Sequence, residues 1–362
     1  MSLRPTPQPG ILEIASYTPG KAGATGSKAI KLSANESPLG ASPKAIEAFR
    51  AAAEHLEVYP EGSSRVLRTA LGEVHGIDPD LIVCGNGSGD LLHLLAQCYL
   101  GEGDEAVMNR YGFSVYPIVT KAAGGRIVMV DEKDFTADVD ALLTAVTERT
   151  RIVWLANPNN PTGTYLSQAE VRRLHAGLRK DILLVLDGAY AEYVTATDYS
   201  AGFDLVAETE NTVMVRTFSK MGLAAARVGW MAGPAHVVDA LNRIRGPFNV
   251  NRPGQLAAAE AARDVAFTAR LQAYNAQWRD WITAELNTNH MRVVPSQANF
   301  VMVLFPDGER SAGAFQALWE RGLVVREIGN SYGIPQGLRI SIGTEAAMRA
   351  VADVLKNFGS AS

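Results

Sequence analysis

The 362-residue sequence predicts a doubly wound α/β fold followed by a smaller α/β domain. Two patterns carry that expectation. From about Ser42 to Arg245, short β-branched or apolar runs alternate with amphipathic stretches of helical length, the signature of βαβ units and a largely parallel sheet. After Pro253 the pattern changes to one long Ala-rich helical segment, Gln255 to about Leu286, and then to shorter mixed signals.

Taken in order, Met1 to Gly10 holds three prolines and reads as an extended arm, without the apolar stretch of a secretory signal. Ser42-Pro43 is an N-cap followed by proline at the first helical position. Strands are expected at Leu81 to Cys84, Glu105 to Met108, Arg126 to Val130, Arg151 to Leu155, Ile182 to Leu186 and Thr212 to Arg216. Ser167-Gln-Ala-Glu170 reads as a capping box opening another helix. Later strands fall near Arg292, Phe300, Val324 and Arg339, separated by helical runs at Ala312 and Glu345. This divides the chain into an N-terminal arm (1–40), a large domain (41–253) and a small C-terminal domain (254–362) that takes in part of the arm. No repeat of solenoid or propeller period is present.

Composition narrows the function. With 47% hydrophobic and 20% charged residues, disordered and low-complexity classes are excluded. Lys plus Arg count 34 against 38 Asp plus Glu, a net charge of −4 without like-charge blocks, so neither nucleic acid nor a membrane surface is an expected partner. Cys84 and Cys98 form no C-x-x-C, and the six histidines show no metal-ligand spacing, so neither a disulfide framework nor a metal is expected. The longest mid-chain apolar run, Ile182 to Leu186, ends at Asp187, far short of the ~18 residues a membrane span requires. A cytoplasmic location follows as the expectation.

In open α/β sheets ligands bind beyond the carboxyl ends of strands, and here those ends carry an unusual set. Gly85-Asn-Gly87-Ser-Gly89-Asp90 follows a strand and opens a helix, making an anion site. Asp90 stands where a dinucleotide loop has its third glycine, and Asn109-Arg110 stands where a ribose-binding acid belongs, so a phosphate monoester fits better than NAD. Tyr111, Asn157, Asn160, Asp187, Thr217, Ser219 and Lys220 cap the following strands. Alone, Lys220 would be a solvated lysine, Tyr111 and Tyr190 edge aromatics, and Arg339 the partner of a surface acid. Together they match pyridoxal phosphate. Its aldehyde needs an amine for a Schiff base (Lys220), its ring nitrogen a carboxylate (Asp187), its ring a stacking face (Tyr111) and its phenolic oxygen donors (Asn160, Tyr190). Ser88, Gly89, Thr217, Ser219 and Arg227 are placed for its phosphate.

The runs Ala156-Asn-Pro-Asn-Asn160-Pro-Thr-Gly163, Asp187-Gly-Ala-Tyr190, Thr217-Phe-Ser-Lys220-Met-Gly-Leu and Arg227-Val-Gly-Trp230 resemble class I/II aminotransferases of fold type I. Tyr17-x-Pro-Gly20, Leu32-Ser-Ala-Asn35-Glu-Ser-Pro-Leu-Gly40, Tyr59-Pro60 and Leu338-Arg-Ile-Ser-Ile-Gly-Thr344 are similar to the histidinol-phosphate aminotransferase branch, and the resemblance runs from about Tyr17 to Phe358. It implies a fold type I pyridoxal-phosphate-dependent transferase, with a mainly parallel seven-stranded sheet between helices and a smaller α/β domain. It also implies a homodimer with shared active sites, in which Tyr59 reaches the neighbouring subunit's cofactor phosphate. Arg339 would bind the substrate's anionic group, with Tyr17, Asn35 and Arg326 lining the same pocket. The small-molecule partners would be an amino donor and a 2-oxo acid. Two departures stand out: Gly188 and Gly89 replace acids common in the family. The rival readings are an aromatic (Phe/Tyr) aminotransferase, a threonine-phosphate decarboxylase, a nicotinamide-dependent oxidoreductase and a non-catalytic binding protein.

Overall fold

The computed structural model describes residues 6–15 and 29–360. Seven strands form the large sheet: β2 (Ile82–Gly85), β3 (Glu105–Asn109), β4 (Arg126–Val130), β5 (Thr150–Ala156), β6 (Leu183–Asp187), β7 (Thr212–Thr217) and β8 (Gly229–Ala232), preceded in the chain by β1 (Ile30–Lys31). Their spatial order is β2-β8-β7-β6-β5-β3-β4. All neighbours run parallel except β8, which is antiparallel to both β2 and β7. Strand order reverses between β3, which passes outward to β4, and β5, which starts the run back through β6 and β7. That reversal is the switch point at which such sheets open a crevice.

Alternation along each strand explains why both faces are covered. Val83, Met108, Trp154, Val185 and Val213 face one core with the helices Ser88–Tyr99, Val115–Ala122 and Ala235–Ile244. Val107, Val153, Leu155, Leu184 and Leu186 face another with Val139–Thr144 and Gln168–Gly177. Successive residues thus bury on opposite faces, as the two-residue strand period requires. The second sheet holds β9 (Arg292–Val294), β10 (Phe300–Leu304), β12 (Arg326–Glu327) and β13 (Gly337–Ser341), antiparallel in the order β12-β13-β10-β9, while β11 (Leu323–Val324) pairs in parallel with β1. Met302, Leu304 and Ile328 form an apolar layer against which Tyr111 and Phe135 of the large unit pack.

Several sequence expectations change. The long helix from Gln255 is two helices, Arg252–Arg263 and Val265–Leu286, because Asp264 leaves helical geometry and its carboxylate caps Phe267 N. The first of the pair packs its alanines with Leu67, Leu71 and Trp230, on the large-sheet side of the boundary expected at 253/254. Ser42 precedes its helix as expected, yet its hydroxyl makes no cap and instead donates to Asp264 Oδ2 at 2.5 Å. The capping box is half formed: Ser167 accepts from Glu170 N at 3.3 Å, while Glu170's carboxylate pairs with Arg173. The strand β8 was not among the strands expected from the runs, since it is short and begins at a glycine. Among the described residues no helix is long and apolar enough to cross a membrane.

Gly222 shows how tightly the catalytic edge is closed. It adopts φ +88, and a Cβ there would stand 2.1 Å from Gly40 O. Gly103 has a similar φ of +87 with nothing within 4 Å. Gly103→Ala should therefore cost about 1 kcal/mol from left-handed strain alone. Gly222→Ala should cost at least about 3 kcal/mol, because strain and backbone collision add. Urea unfolding of the two variants measures the difference, and equal losses would remove the close-approach argument.

Candidate active site

The parallel register lines up the carboxyl ends of five strands. Gly229 pairs with both Gly85 and Thr217, and Asp187 pairs with Ala156 and Val215. Antiparallel β8 enters at this edge, so Arg227, just before it, arrives beside the glycine loop. A Cβ on Gly87 would lie 2.5 Å from Arg227 Nη2, and one on Gly229 would lie 2.3 Å from Ser88 N. Only glycine permits this approach of guanidinium, strand and helix start.

The helix Ser88–Tyr99 begins here, its first N–H groups unpaired within the helix by construction. Arg227 Nη1 donates to Ser219 Oγ at 3.3 Å and to Ala224 O at 3.2 Å, and Thr217 Oγ1 donates to Ser219 Oγ at 3.0 Å. Ser88, Gly89, Thr217, Ser219 and Arg227 thus form one donor cluster. Asp90 holds the loop from behind, accepting from Asn86 N at 2.9 Å and Asn249 Nδ2 at 3.3 Å. A Cβ at Gly89 meets nothing within 4 Å, so no packing excludes a side chain there. At the other departure, a Cβ on Gly188 would lie 3.0 Å from Arg216 Cδ, and buried Arg216 takes its carboxylate from Glu192 at 2.7 Å.

Asp187 ends β6 and is buried. Burial pushes its pKa up to about 6, against the pull of hydrogen bonds from Tyr116 OH (2.9 Å to Oδ2) and Ala189 N (3.2 Å to Oδ1) and of the Lys220 charge. Lys220 follows β7, with Nζ donating to Ala34 O at 3.0 Å and standing 5.9 Å from the Tyr190 ring centre. Burial, with the Arg339 charge next, brings its pKa down to about 8. Tyr190, buried, accepts from Asn35 Nδ2 at 3.0 Å.

Asn35 itself adopts φ 55 and is held on several sides, by Ser341 Oγ at its backbone N–H and Oδ1 (2.9 Å each) and by Asn299 at its carbonyl (3.0 Å). Its side chain therefore orients Tyr190. Arg339 on β13 donates to Asn160 Oδ1 (2.5 Å) and Ser33 O (2.7 Å), stacks 5.3 Å over Phe300, and is 7% exposed. Its Nε is buried without a partner, and no carboxylate pairs with it among the described residues. The surface-acid alternative for Arg339 therefore fails. Arg326 is its directly opposed partner in the β12–β13 ladder. Opposed residues project from one face of the sheet, so the two guanidinium-bearing side chains leave the ladder on the same side.

Tyr111 is fixed by its backbone: its N–H donates to Glu132 Oε1 at 2.8 Å and its carbonyl accepts from Asn159 Nδ2 at 3.1 Å. Burial raises Glu132 to about 7. Tyr111 and Arg326 both line a cavity of about 970 Å³ between the two sheets, closed partly by Glu13 to Ala15 of the arm. Tyr59 lies elsewhere, 77% exposed and stacked on Phe248 at 4.8 Å, outside this chain's own cluster. Tyr17 lies outside the described residues. Sequence reasoning misses Tyr116, Glu132 and Ser341, since each acts through a contact with a residue far away in the chain that no local spacing announces. Among the described residues no group of His, Cys, Asp and Glu is placed to hold a metal ion.

The aminotransferase class I and II model matches residues 27–355, and the chain belongs to that family. Among relatives, a histidinol-phosphate aminotransferase of Rhodopseudomonas palustris (strain BisB18) is 55% identical over 360 residues, covering 98% of each chain. One of Nitrobacter winogradskyi is likewise 55% identical, with the same coverage. Among solved structures, histidinol-phosphate aminotransferase from Sinorhizobium meliloti in complex with pyridoxal-5'-phosphate superimposes with a TM-score of 0.85 at 29% identity, over 91% of this chain and 90% of that one.

The shifted lysine gives a direct test. In cofactor-free protein, competitive acetylation of Lys220 read by peptide mass should rise with a midpoint near pH 8. An ordinary lysine has its midpoint near pH ~10.4. A midpoint at the ordinary value would show that the amine is solvated.

Proposed function

We propose that this chain is a pyridoxal-phosphate-dependent aminotransferase that converts histidinol phosphate and 2-oxoglutarate to imidazole acetol phosphate and glutamate, a step of histidine biosynthesis. The observation that carries the reading is Arg339, a buried guanidinium with no carboxylate partner among the described residues, held beside a lysine whose pKa is down to about 8. A binding site for anionic amines needs both.

The residues fit the cofactor. The glycine cradle at Gly87 and Gly229, the first turn of its helix and the hydroxyls of Thr217 and Ser219 with Arg227 suit a phosphate dianion. Asp187 suits a protonated ring nitrogen, Tyr190 and Asn160 a phenolic oxygen, and Tyr111 a ring face. When bound, pyridoxal phosphate supplies the electron sink that accommodates negative charge on the substrate carbon. Lys220 would anchor the cofactor and, displaced by the substrate amine, serve as the base that takes the proton from that carbon; its lowered pKa keeps a useful fraction neutral near pH 7. Asp187, held ionised, stabilises the protonated ring by a preorganised charge. Arg339 meets the carboxylate of glutamate and the phosphate of histidinol phosphate in turn, since its planar fork donates in parallel to either oxyanion.

The opposed pair Arg326 and Arg339 favours a phosphate dianion over the single carboxylate of an aromatic amino acid. Asn35 serves the same pocket by orienting Tyr190, and the family resemblance gives Tyr17 a part in binding the substrate. The enzyme acts as a homodimer in which exposed Tyr59 serves the partner's site, with exposed Val58 next to it in sequence. Residues 41–253, with the helix Arg252–Arg263 packed on their side, carry the cofactor, the rest of 254–362 with part of the 1–40 arm forms the substrate side of the pocket, and the enzyme works in the cytoplasm.

Three tests follow from these roles. Histidinol phosphate should turn over well with 2-oxoglutarate and phenylalanine poorly; the reverse ranking, in steady-state assays, would favour the aromatic reading. Arg339→Lys should lower kcat/KM for both glutamate and histidinol phosphate roughly ten- to a hundredfold, the loss of a charged hydrogen bond. Tyr59→Phe and Lys220→Ala proteins, each impaired alone, should recover activity when mixed after reversible dissociation, because one site of the mixed dimer then carries neither lesion. Absence of recovery, with exchange verified by mass, would place Tyr59 outside the partner's site.

A further inference from the structure

We propose that Tyr116 is a positioning residue for Asp187, fixing the direction of its carboxylate and holding it in the charged form that a protonated cofactor ring requires. The proposal rests on the reading of Asp187 as the ring-nitrogen partner and extends it to a residue no motif marks.

The geometry is a brace built across three elements. Tyr116 sits in the first turn of the helix Val115–Ala122, 1% exposed, with its hydroxyl donating to Asp187 Oδ2 at 2.9 Å. Its ring lies flat on Trp154 of β5, centroids 5.4 Å apart and 5° between planes, with Phe113 edge-on at 5.8 Å. Trp154 Nε1 in turn donates to Thr120 Oγ1 at 3.1 Å, one helical turn beyond Tyr116. The same helix therefore grips the indole at both ends, and the indole sets the phenol plane. Packing, and not the hydrogen bond alone, aims the hydroxyl at β6.

That aim matters because Asp187 has few donors. Each oxygen accepts one: Oδ2 from Tyr116 and Oδ1 from Ala189 N at 3.2 Å. Burial works to neutralise the carboxyl, and a hydrogen bond donated to the ionised form opposes it. The other titratable groups facing Asp187 are Lys220 from the turn after β7, Tyr190 from the turn after β6 and Tyr199 further along that connection. Burial holds Tyr116, Tyr190 and Tyr199 above the ordinary tyrosine range, and Lys220 titrates near 8. Asp187, near 6, is thus the member of this group that changes charge in mildly acidic solution.

Tyr116→Phe keeps the stacked ring and deletes only the donor. The first measurement is made on cofactor-free protein, following the carboxylic carbonyl band by infrared difference against Asp187→Asn. In the parent protein the band should titrate with a midpoint near pH 6. In Tyr116→Phe the midpoint should move up by about one to two pH units, the size of a lost charged hydrogen bond. The second measurement is the dissociation constant of pyridoxal phosphate at pH 7, which should weaken about tenfold as the carboxyl becomes neutral. An unmoved infrared midpoint in Tyr116→Phe, with Asp187→Asn weakened for the cofactor, would overturn the proposal and leave the role of Asp187 standing. Unchanged cofactor affinity in Asp187→Asn would overturn both. A uniform loss of affinity in Tyr116→Phe with the midpoint in place would assign Tyr116 to packing alone and also refute the proposal.

Discussion

Desolvation of charge at the carboxyl edge of one sheet is the constraint on which the rest of this molecule depends. Asp187 and, on the facing second sheet, Arg339 are buried and Lys220 is half-buried, and among the described residues none of the three sits in a direct ion pair. Burying an ion without a partner is expensive, and proteins ordinarily answer by pairing it or neutralising it. Here the answer is partial in each case. Asp187 keeps two donors, Lys220 one carbonyl, and Arg339 an amide and a carbonyl with its Nε left bare. Such a set is stable only as part of a fold that overdetermines it, and it becomes complete when a ligand of complementary charge arrives.

The fold meets that demand through register. Parallel pairing from β3 through β7 delivers strand ends to one edge, and reversal of order at β3 and β5 leaves room above them. The antiparallel β8 adds what a purely parallel sheet would not: it enters where the others leave, so Arg227 reaches the glycine loop. Glycines at 87 and 229 make the approach possible, since a Cβ at either would collide with Arg227 or Ser88. The second sheet places Arg326 and Arg339 opposite each other in one ladder, and its apolar layer packs on Tyr111. On the proposed reading, substrate recognition and cofactor chemistry would be carried by different sheets that meet at the crevice.

Much of this was legible in the sequence because it is local. Strand runs, the glycine loop and the polar caps after each strand place Asp187, Lys220, Thr217 and Ser219 to within a residue of where they stand. The errors arise where tertiary contact decides. Ala-rich periodicity continues across Asp264, but its side chain caps the next helix and accepts from Ser42, so one expected helix became two. The strand β8 is too short to announce itself and is defined by two ladders. Tyr116 and Glu132 meet Asp187 and Tyr111 across 71 and 21 residues of sequence, distances over which spacing carries no information. Asn35, expected in the substrate pocket, also donates to Tyr190, a contact set by Ser341 and Asn299 at its backbone and amide that no local spacing announces.

The central claim is that the desolvated amine at the end of β7 is the cofactor's point of attachment. Cofactor-free protein is loaded with pyridoxal phosphate, reduced with borohydride, digested, and the modified peptide mapped by mass. The account predicts a single stoichiometric adduct on Lys220, lost when Arg227 and Ser219 are both replaced by alanine and phosphate binding fails. An adduct on another lysine, or labelling spread over surface lysines with Lys220 untouched, would contradict it.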